Sequence, residues 1–239
     1  ITWRALAQGV DDTAQELRDS GVQPGDRIAW LGLNSPRAIE LLLALSRLGA
    51  ILLPLNYRLA PAELQAILDH AQASLLLADA THEALAGQLT LPAKGDGAVP
   101  GSGDRPDPPV LLVYTSGTTG RPKGALHTQG GLLANCAISQ DAHAFTPGDH
   151  VLTVLPLFHV GGLCIQTLPA LHAGARVTLH ARFEAGAWLR DVDGNEYVDF
   201  CLGDTGAMAG HSPAPTVAAV RRRFEELGGA TVMMPTVVT

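Results

Sequence analysis

Residues 115–127 read TSGTTGRPKGALH and follow the apolar run VLLVY at 110–114. Gly117, Gly120 and Gly124 free the backbone to fold tightly and to turn N–H groups inward. Thr115, Ser116, Thr118 and Thr119 add hydroxyl donors, and Lys123 adds a positive charge. Such a loop suits a polyphosphate: amides and hydroxyls take the oxygens, and the lysine offsets their charge. Two common phosphate loops are excluded. A Walker loop requires Gly at 122 and Ser or Thr at 124, where Pro122 and Gly124 stand. The dinucleotide pattern G-x-G-x-x-G is not met either. Composition alone also allows a plain surface turn, so the specificity lies in the order of the residues, YTSGTTGRPKG.

A second stretch, LPLFHVGG at 155–162, sets His159 between Phe158 and Val160 and ahead of Gly161 and Gly162. On its residues alone, His159 is either a pocket histidine or a hydrogen-bonded core residue. His70, His82, His143, His150, His172 and His180 have no ligand spacing with each other, and surface or cap roles are expected. Cys136, Cys164 and Cys201 are isolated, without a C-x-x-C pair. That pattern excludes a disulfide framework and a zinc site, and it fits a reducing, cytoplasmic compartment.

Elements that could position these residues are legible along the chain. Leu6, Val10, Ala14 and Leu17 recur at helical spacing, which predicts a helix over 3–19 stopped by Gly21. RIAWLGL at 27–33 reads as a buried strand. Ser35-Pro36 offers an N-cap and an N1 proline for a helix through Leu48, closed by Gly49. AILLPLN at 50–56 is a second strand, so a parallel pair joined by a right-handed crossover is expected. A helix over 61–71 and a strand ASLLLAD at 73–79 follow. The Gly, Pro and Asp of PAKGDGAVPGSGDRPDPP make 92–109 a connection. Beyond it come strand VLLVY, a helix over 128–144, strand HVLTVL, a helix over 160–172 and strand ARVTLH. The fold class is α/β, with mostly parallel sheet layers and flanking helices. Lobes at 1–91 and 110–186 are joined by the connection.

The whole sequence of 239 residues is 46% hydrophobic and 16% charged, enough for a substantial core. A net charge of −7 argues against a nucleic-acid surface. The basic run Arg221, Arg222 and Arg223 reads as a solvated helix face. No charged-then-apolar leader opens the sequence, and ELLLALSRLGAILLPL carries Arg47 and is broken by Gly49 and Pro54. No membrane span is therefore expected. The sequence opens at Ile1 inside a helix-like pattern, which points to a missing beginning.

YTSGTTGRPKG closely resembles the phosphate-loop signature of the adenylate-forming enzymes: acyl-CoA synthetases, luciferases and peptide-synthetase adenylation domains. LPLFHVGG resembles the next motif of that family. GVQPGDRIAWLGLNSPRAIELLLALSRLGAILLPLNYRLAPAEL resembles its amino-terminal region, so the resemblance covers residues 1 to about 186. It implies part of the large domain of that fold and a two-step reaction. A carboxylate attacks the α-phosphorus of ATP, releasing pyrophosphate and giving an acyl-adenylate; a thiol, usually of coenzyme A, then attacks the acyl carbon. ATP with Mg²⁺ and coenzyme A are the implied cofactors, and a small carboxylic acid is the implied substrate. Thr115, Ser116, Gly117, Thr118, Thr119, Gly120 and Lys123 match the loop that holds the β- and γ-phosphates, where positioning and charge do most of the work. His159 matches the histidine near the carboxylate and acyl pocket. The family's later Thr-Glu pair, ribose-binding Asp and carboxy-terminal lysine are not found, and no catalytic residue or metal ligand is assigned. Lys94 and Lys123 are the only lysines. An incomplete ligase, with uncovered apolar surface and a tendency to self-associate, is the expectation.

Residues 187–239 read differently. WLRDVDGNEYVDFC alternates about Asp193-Gly194, a β-hairpin pattern, and Pro213 to Leu227 suits a helix with Ser212 near its N-cap. DVDGNEYVDF and GHSPAPTVAAV resemble the amino-terminal part of class III pyridoxal-phosphate aminotransferases, of the glutamate-1-semialdehyde aminomutase type. His211 and Ser212 match a loop near that family's active site. The segment has no lysine for a Schiff base, so pyridoxal phosphate is not expected. The two resemblances meet in GAWL at 186–189, and two designs joined there, by fusion or by artefact, are expected. A non-catalytic interaction module and a chain without joint function remain the alternatives.

Overall fold

The computed structural model describes residues 1–93, 107–115 and 123–183. The chain divides into two units, Ile1–Arg182 and Phe183–Thr239. The expected hairpin at 188–201, the helix at 213–227 and most of the 92–109 connection lie outside the described residues.

Helix α1 (Trp3–Asp19) opens on Thr2, whose hydroxyl accepts from the Ala5 N–H, and it buries Val10, Ala14 and Leu17. Strand β1 (Arg27–Leu31) is followed by α2 (Pro36–Leu48). Gly49 ends α2 at φ 67°, a left-handed conformation that glycine adopts without a Cβ penalty. Strand β2 (Ile51–Pro54), helix α3 (Pro61–Ala71), strand β3 (Leu75–Ala78) and a short α4 (Glu83–Ala86) complete the first half. Beyond the connection run β4 (Pro109–Thr115), β5 (Lys123–Thr128), α5 (Gln129–His143) and β6 (His150–Thr153). A π-helical segment (Gly161–Thr167) then continues into α6 (Leu168–His172), and β7 (Arg176–Leu179) follows.

Five strands form one sheet in the order β3-β1-β2-β4-β5. Ile28 of β1 stands opposite Leu52 of β2 and Leu75 of β3, both in parallel register. Strand β4 is parallel to β2, and β5 runs antiparallel to β4. Strands β6 and β7 form a separate parallel pair. Helices cover both faces of the larger sheet, which is why inner strands β1 and β2 are buried at every residue instead of alternating. Ile28, Trp30, Leu52 and Val113 pack with Val10 and Leu17 of α1 and with Ile39 and Leu45 of α2. Ala29, Leu31, Leu53 and Leu55 pack instead with Leu64, Ile67 and Leu68 of α3. The α/β class and the mostly parallel sheet expected from the sequence are what the chain adopts.

Two local features depart from expectation. Residues 123–127 were expected to belong to the loop, yet they pair with β4 as strand β5. Gly124 sits opposite Tyr114, and a Cβ there would lie 2.8 Å from Leu112 Cδ1 and 3.3 Å from the Tyr114 ring. The glycine that looked like loop flexibility thus makes room for two side chains of the neighbouring strand. The single helix expected over 160–172 begins instead with π-helical turns. Pro169 has no N–H to offer the Ile165 carbonyl, four residues back. The Ser139 hydroxyl donates to that carbonyl at 3.0 Å, and Asn135 Nδ2 donates to the Cys164 carbonyl at 2.6 Å. Side chains of α5 therefore donate to two consecutive carbonyls of the widened turns.

Candidate functional site at the carboxyl edge of the sheet

Asp79, Thr115 and His159 each stand at or after the carboxyl end of a strand with a parallel partner: β3, β4 and β6. In open α/β sheets that edge is where ligands bind, because the strands end there together and the crossover loops leave a crevice. Thr115 is the last residue of β4 and Lys123 the first of β5, and they are register partners at the turn end of the hairpin. Ser116, Gly117, Thr118, Thr119 and Gly120 join these two residues and lie outside the described residues. Both Thr115 and Lys123 are exposed. The preceding Tyr114 is anchored: its hydroxyl lies 2.6 Å from His70 Nδ1 on α3, and burial pushes its phenol above the ordinary range.

His159 follows β6 in the turn at 155–160. Its N–H donates to the Pro156 carbonyl at 3.1 Å, and its carbonyl accepts from the Leu163 N–H at 3.1 Å. The Gly161 N–H donates to His159 Nδ1 at 3.0 Å. In the neutral ring that bond leaves the proton on Nε2, so the exposed imidazole presents a donor at its outer nitrogen. The ring is exposed and held by its own turn, so His159 is not a core residue. Gly162 has a steric reason. A Cβ there would stand 2.5 Å from the Pro156 carbonyl oxygen and 2.6 Å from that of Leu155.

Sequence reasoning missed a polar cluster beside this turn. Asp79, just after β3, accepts from the Leu33 N–H at 2.7 Å and pairs with His82 Nδ1 at 2.6 Å. Burial raises the Asp79 carboxyl, but the Leu33 amide and His82 outweigh it and hold the group below its usual range. His82 is the N-cap of α4, one of the roles expected for it, and is buried against this carboxylate and the Tyr57 ring, 5.0 Å between centroids. The available signal was Asp79 three residues before His82 at a strand end. Tyr57 meets Phe158 edge to face at 5.2 Å, and the Arg58 guanidinium lies 5.8 Å from the Phe158 ring. The segment after β2 thereby touches the residue before His159.

The free thiols Cys136 and Cys164 are buried. Burial, aided by Cys136, pushes the Cys164 thiol up to about 11. Among the described residues no three His, Cys, Asp or Glu side chains are grouped to hold a metal ion. Among them, too, no helix is long and apolar enough to cross a membrane.

With this geometry in place, comparison with known proteins defines the class. The model of the AMP-binding enzyme family matches residues 1–201, and the chain belongs to that family. It is 42% identical over 212 residues to an indoleacetate–CoA ligase of Aromatoleum aromaticum, covering 78% of this chain and 41% of that protein. It is 38% identical over 203 residues to a feruloyl-CoA synthase of Amycolatopsis, covering 81% of this chain and 41% of that one. Among solved structures, ATP-bound MatB of Rhodopseudomonas palustris superposes with TM-score 0.67 at 30% identity, over 79% of this chain and 42% of that one. The o-succinylbenzoate CoA synthetase of Bacillus subtilis, in complex with its acyl-adenylate, gives TM-score 0.67 at 27% identity, over 81% and 53%. The chain thus spans about two fifths of the curated relatives, 41% of each of these two. The family match continues to residue 201, past the join expected at 186, and nothing in these comparisons supports an aminotransferase-like segment.

Proposed function

We propose that this chain carries the phosphate-binding part of an ATP-dependent carboxylate-activating ligase, which forms an acyl-adenylate and transfers the acyl group to coenzyme A. The observation that carries the reading is the β4–β5 hairpin, whose turn end sets Thr115 and Lys123 face to face at the carboxyl end of β4. Thr115, Ser116, Gly117, Thr118, Thr119 and Gly120 would supply amides and hydroxyls to the β- and γ-phosphates, and the Lys123 ammonium would offset their charge. His159 Nε2–H would donate to the carboxylate that attacks the α-phosphorus. Mg²⁺ bound with the nucleotide would supply neutralisation of phosphate charge during adenylation. An aromatic acid is the substrate class favoured by two relatives, an indoleacetate–CoA ligase and a feruloyl-CoA synthase.

The experiment is calorimetric titration of the chain with ATP and with pyrophosphate, for the parent and for Lys123→Ala. Binding that Lys123→Ala abolishes supports the reading. Parent protein that takes up neither ligand overturns it.

A second reading has its own observation. Leu133, Ile138 and Ile165 are 52%, 70% and 47% exposed. Uncovered apolar side chains of this kind suit an interaction surface, here self-association of the chain. A monodisperse monomer in light scattering at high concentration contradicts it. The remaining divisions are proposals as well: lobes at 1–91 and 110–186, a cytoplasmic setting suited to the buried free thiols, and an aminotransferase-like piece at 187–239. That last proposal rests on DVDGNEYVDF and GHSPAPTVAAV alone, with the family match over 187–201 against it. Single long sequencing reads that cross codons 175–200 in the source DNA would show a continuous gene. Their absence would mark an artefact.

A further inference from the structure

We infer that Asn34 is a positioning residue for the turn that presents His159; its functional meaning rests on the ligase reading above. Asn34 follows β1 and is only 7% exposed. Its Nδ2 donates to the Leu155 carbonyl at 2.9 Å, and its Oδ1 accepts from the Leu157 N–H at 2.7 Å. Its own N–H donates to the Ala181 carbonyl, beyond β7, at 3.1 Å. One residue therefore ties the carboxyl ends of β1, β6 and β7 together and links the larger sheet to the smaller one.

The two gripped residues flank Pro156, and the Pro156 carbonyl is the acceptor for the His159 N–H. Gly162 lies against the carbonyls of Leu155 and Pro156, and Gly161 donates to the His159 ring. A continuous set of backbone contacts thus leads from the Asn34 amide to the imidazole. Asparagine suits the place because it offers one donor and one acceptor in a plane at short reach. Aspartate keeps the acceptor and loses the donor. Alanine leaves the Leu155 carbonyl and the Leu157 N–H without their partner in a buried setting, a loss larger than that of an exposed hydrogen bond.

The test uses the full chain without nucleotide, as parent, Asn34→Ala and Asn34→Asp. Amide hydrogen exchange and the ¹⁵N shifts of the His159 ring are read by NMR. In Asn34→Ala the amides of Leu157, Gly161 and Leu163 should exchange about tenfold faster, the fold-change expected from one lost hydrogen bond. Ala29 and Leu53 in the larger sheet should keep their rates, and His159 Nδ1 should lose its acceptor signature. Asn34→Asp should restore slow exchange at Leu157, since its carboxylate still accepts. An unchanged His159 ring and Gly161 amide in Asn34→Ala would overturn the assignment, and so would an equal acceleration across both sheets. If Asn34→Ala does not fold, Asn34→Ser provides the same comparison. Failure of pyrophosphate binding would remove the ligase reading and leave this linkage standing, so the two claims fail separately.

Discussion

Thr115 and Lys123 are register partners at the turn end of the β4–β5 hairpin. That pairing fixes both ends of the intervening glycine- and threonine-rich stretch, a few ångströms apart on a ladder held by the core. Pinned ends would lower the entropy cost of the proposed phosphate binding. Lys123 is exposed, so the role proposed for it is one of charge and not of packing.

Gly162 is predicted to tolerate no side chain. A Cβ would stand 2.5 and 2.6 Å from two backbone carbonyl oxygens, which cannot swing aside as a side chain would. Gly162→Ala should cost about 3 kcal/mol or more of stability, the upper end of overpacking penalties. Urea unfolding of the variant checks this. A midpoint equal to the parent's would contradict the steric account.

Asp79 predicts a specific response to acid. Its folded-state pKa lies below the ordinary value of 3.8, so its ionised form is favoured in the fold. The sign follows: the stabilisation is fully present above the unfolded value and is lost as pH falls through the folded one. Asp79→Asn should therefore flatten the fall of stability between about pH 5 and pH 2 relative to the parent. Thermal melts across that range measure it, and parallel curves for the two proteins would refute it.

The Cys164 thiol, pushed up to about 11 and buried, should be inert at neutral pH. A thiol reagent at pH 7.5 should label Cys164 only after denaturant is added, as peptide mass spectrometry would show. Fast labelling of the folded chain would mean that the π-helical segment opens readily.

Much of the architecture was legible because local signals agreed with global packing. Ser35-Pro36 and Gly49 bracket α2 where the helix is found, and the unbroken apolar runs of β1 and β2 announced a sheet covered on both faces. Strand β5 was not legible, since Gly124 and Lys123 have low strand propensity and its pairing is fixed by β4. The π-helical turns were hidden for a related reason: the donors that sustain them, Asn135 and Ser139, lie on another helix. For the candidate site, His159 and the loop residues carried an ordered motif, whereas Asn34 and the Asp79–His82 pair carry none. Their importance comes from contacts 121 and 123 residues away for Asn34, and from burial for His82.

The central claim is that the stretch between Thr115 and Lys123 binds phosphate groups. Its most direct test is an NMR titration of the ¹⁵N-labelled chain with pyrophosphate, following the amides of Thr115, Lys123 and Gly124. The account predicts saturable shifts at these three residues, little change at Val177 on β7, and no saturable shift in Lys123→Ala. Silence at Thr115 and Lys123, or shifts that persist unchanged in Lys123→Ala, would contradict it.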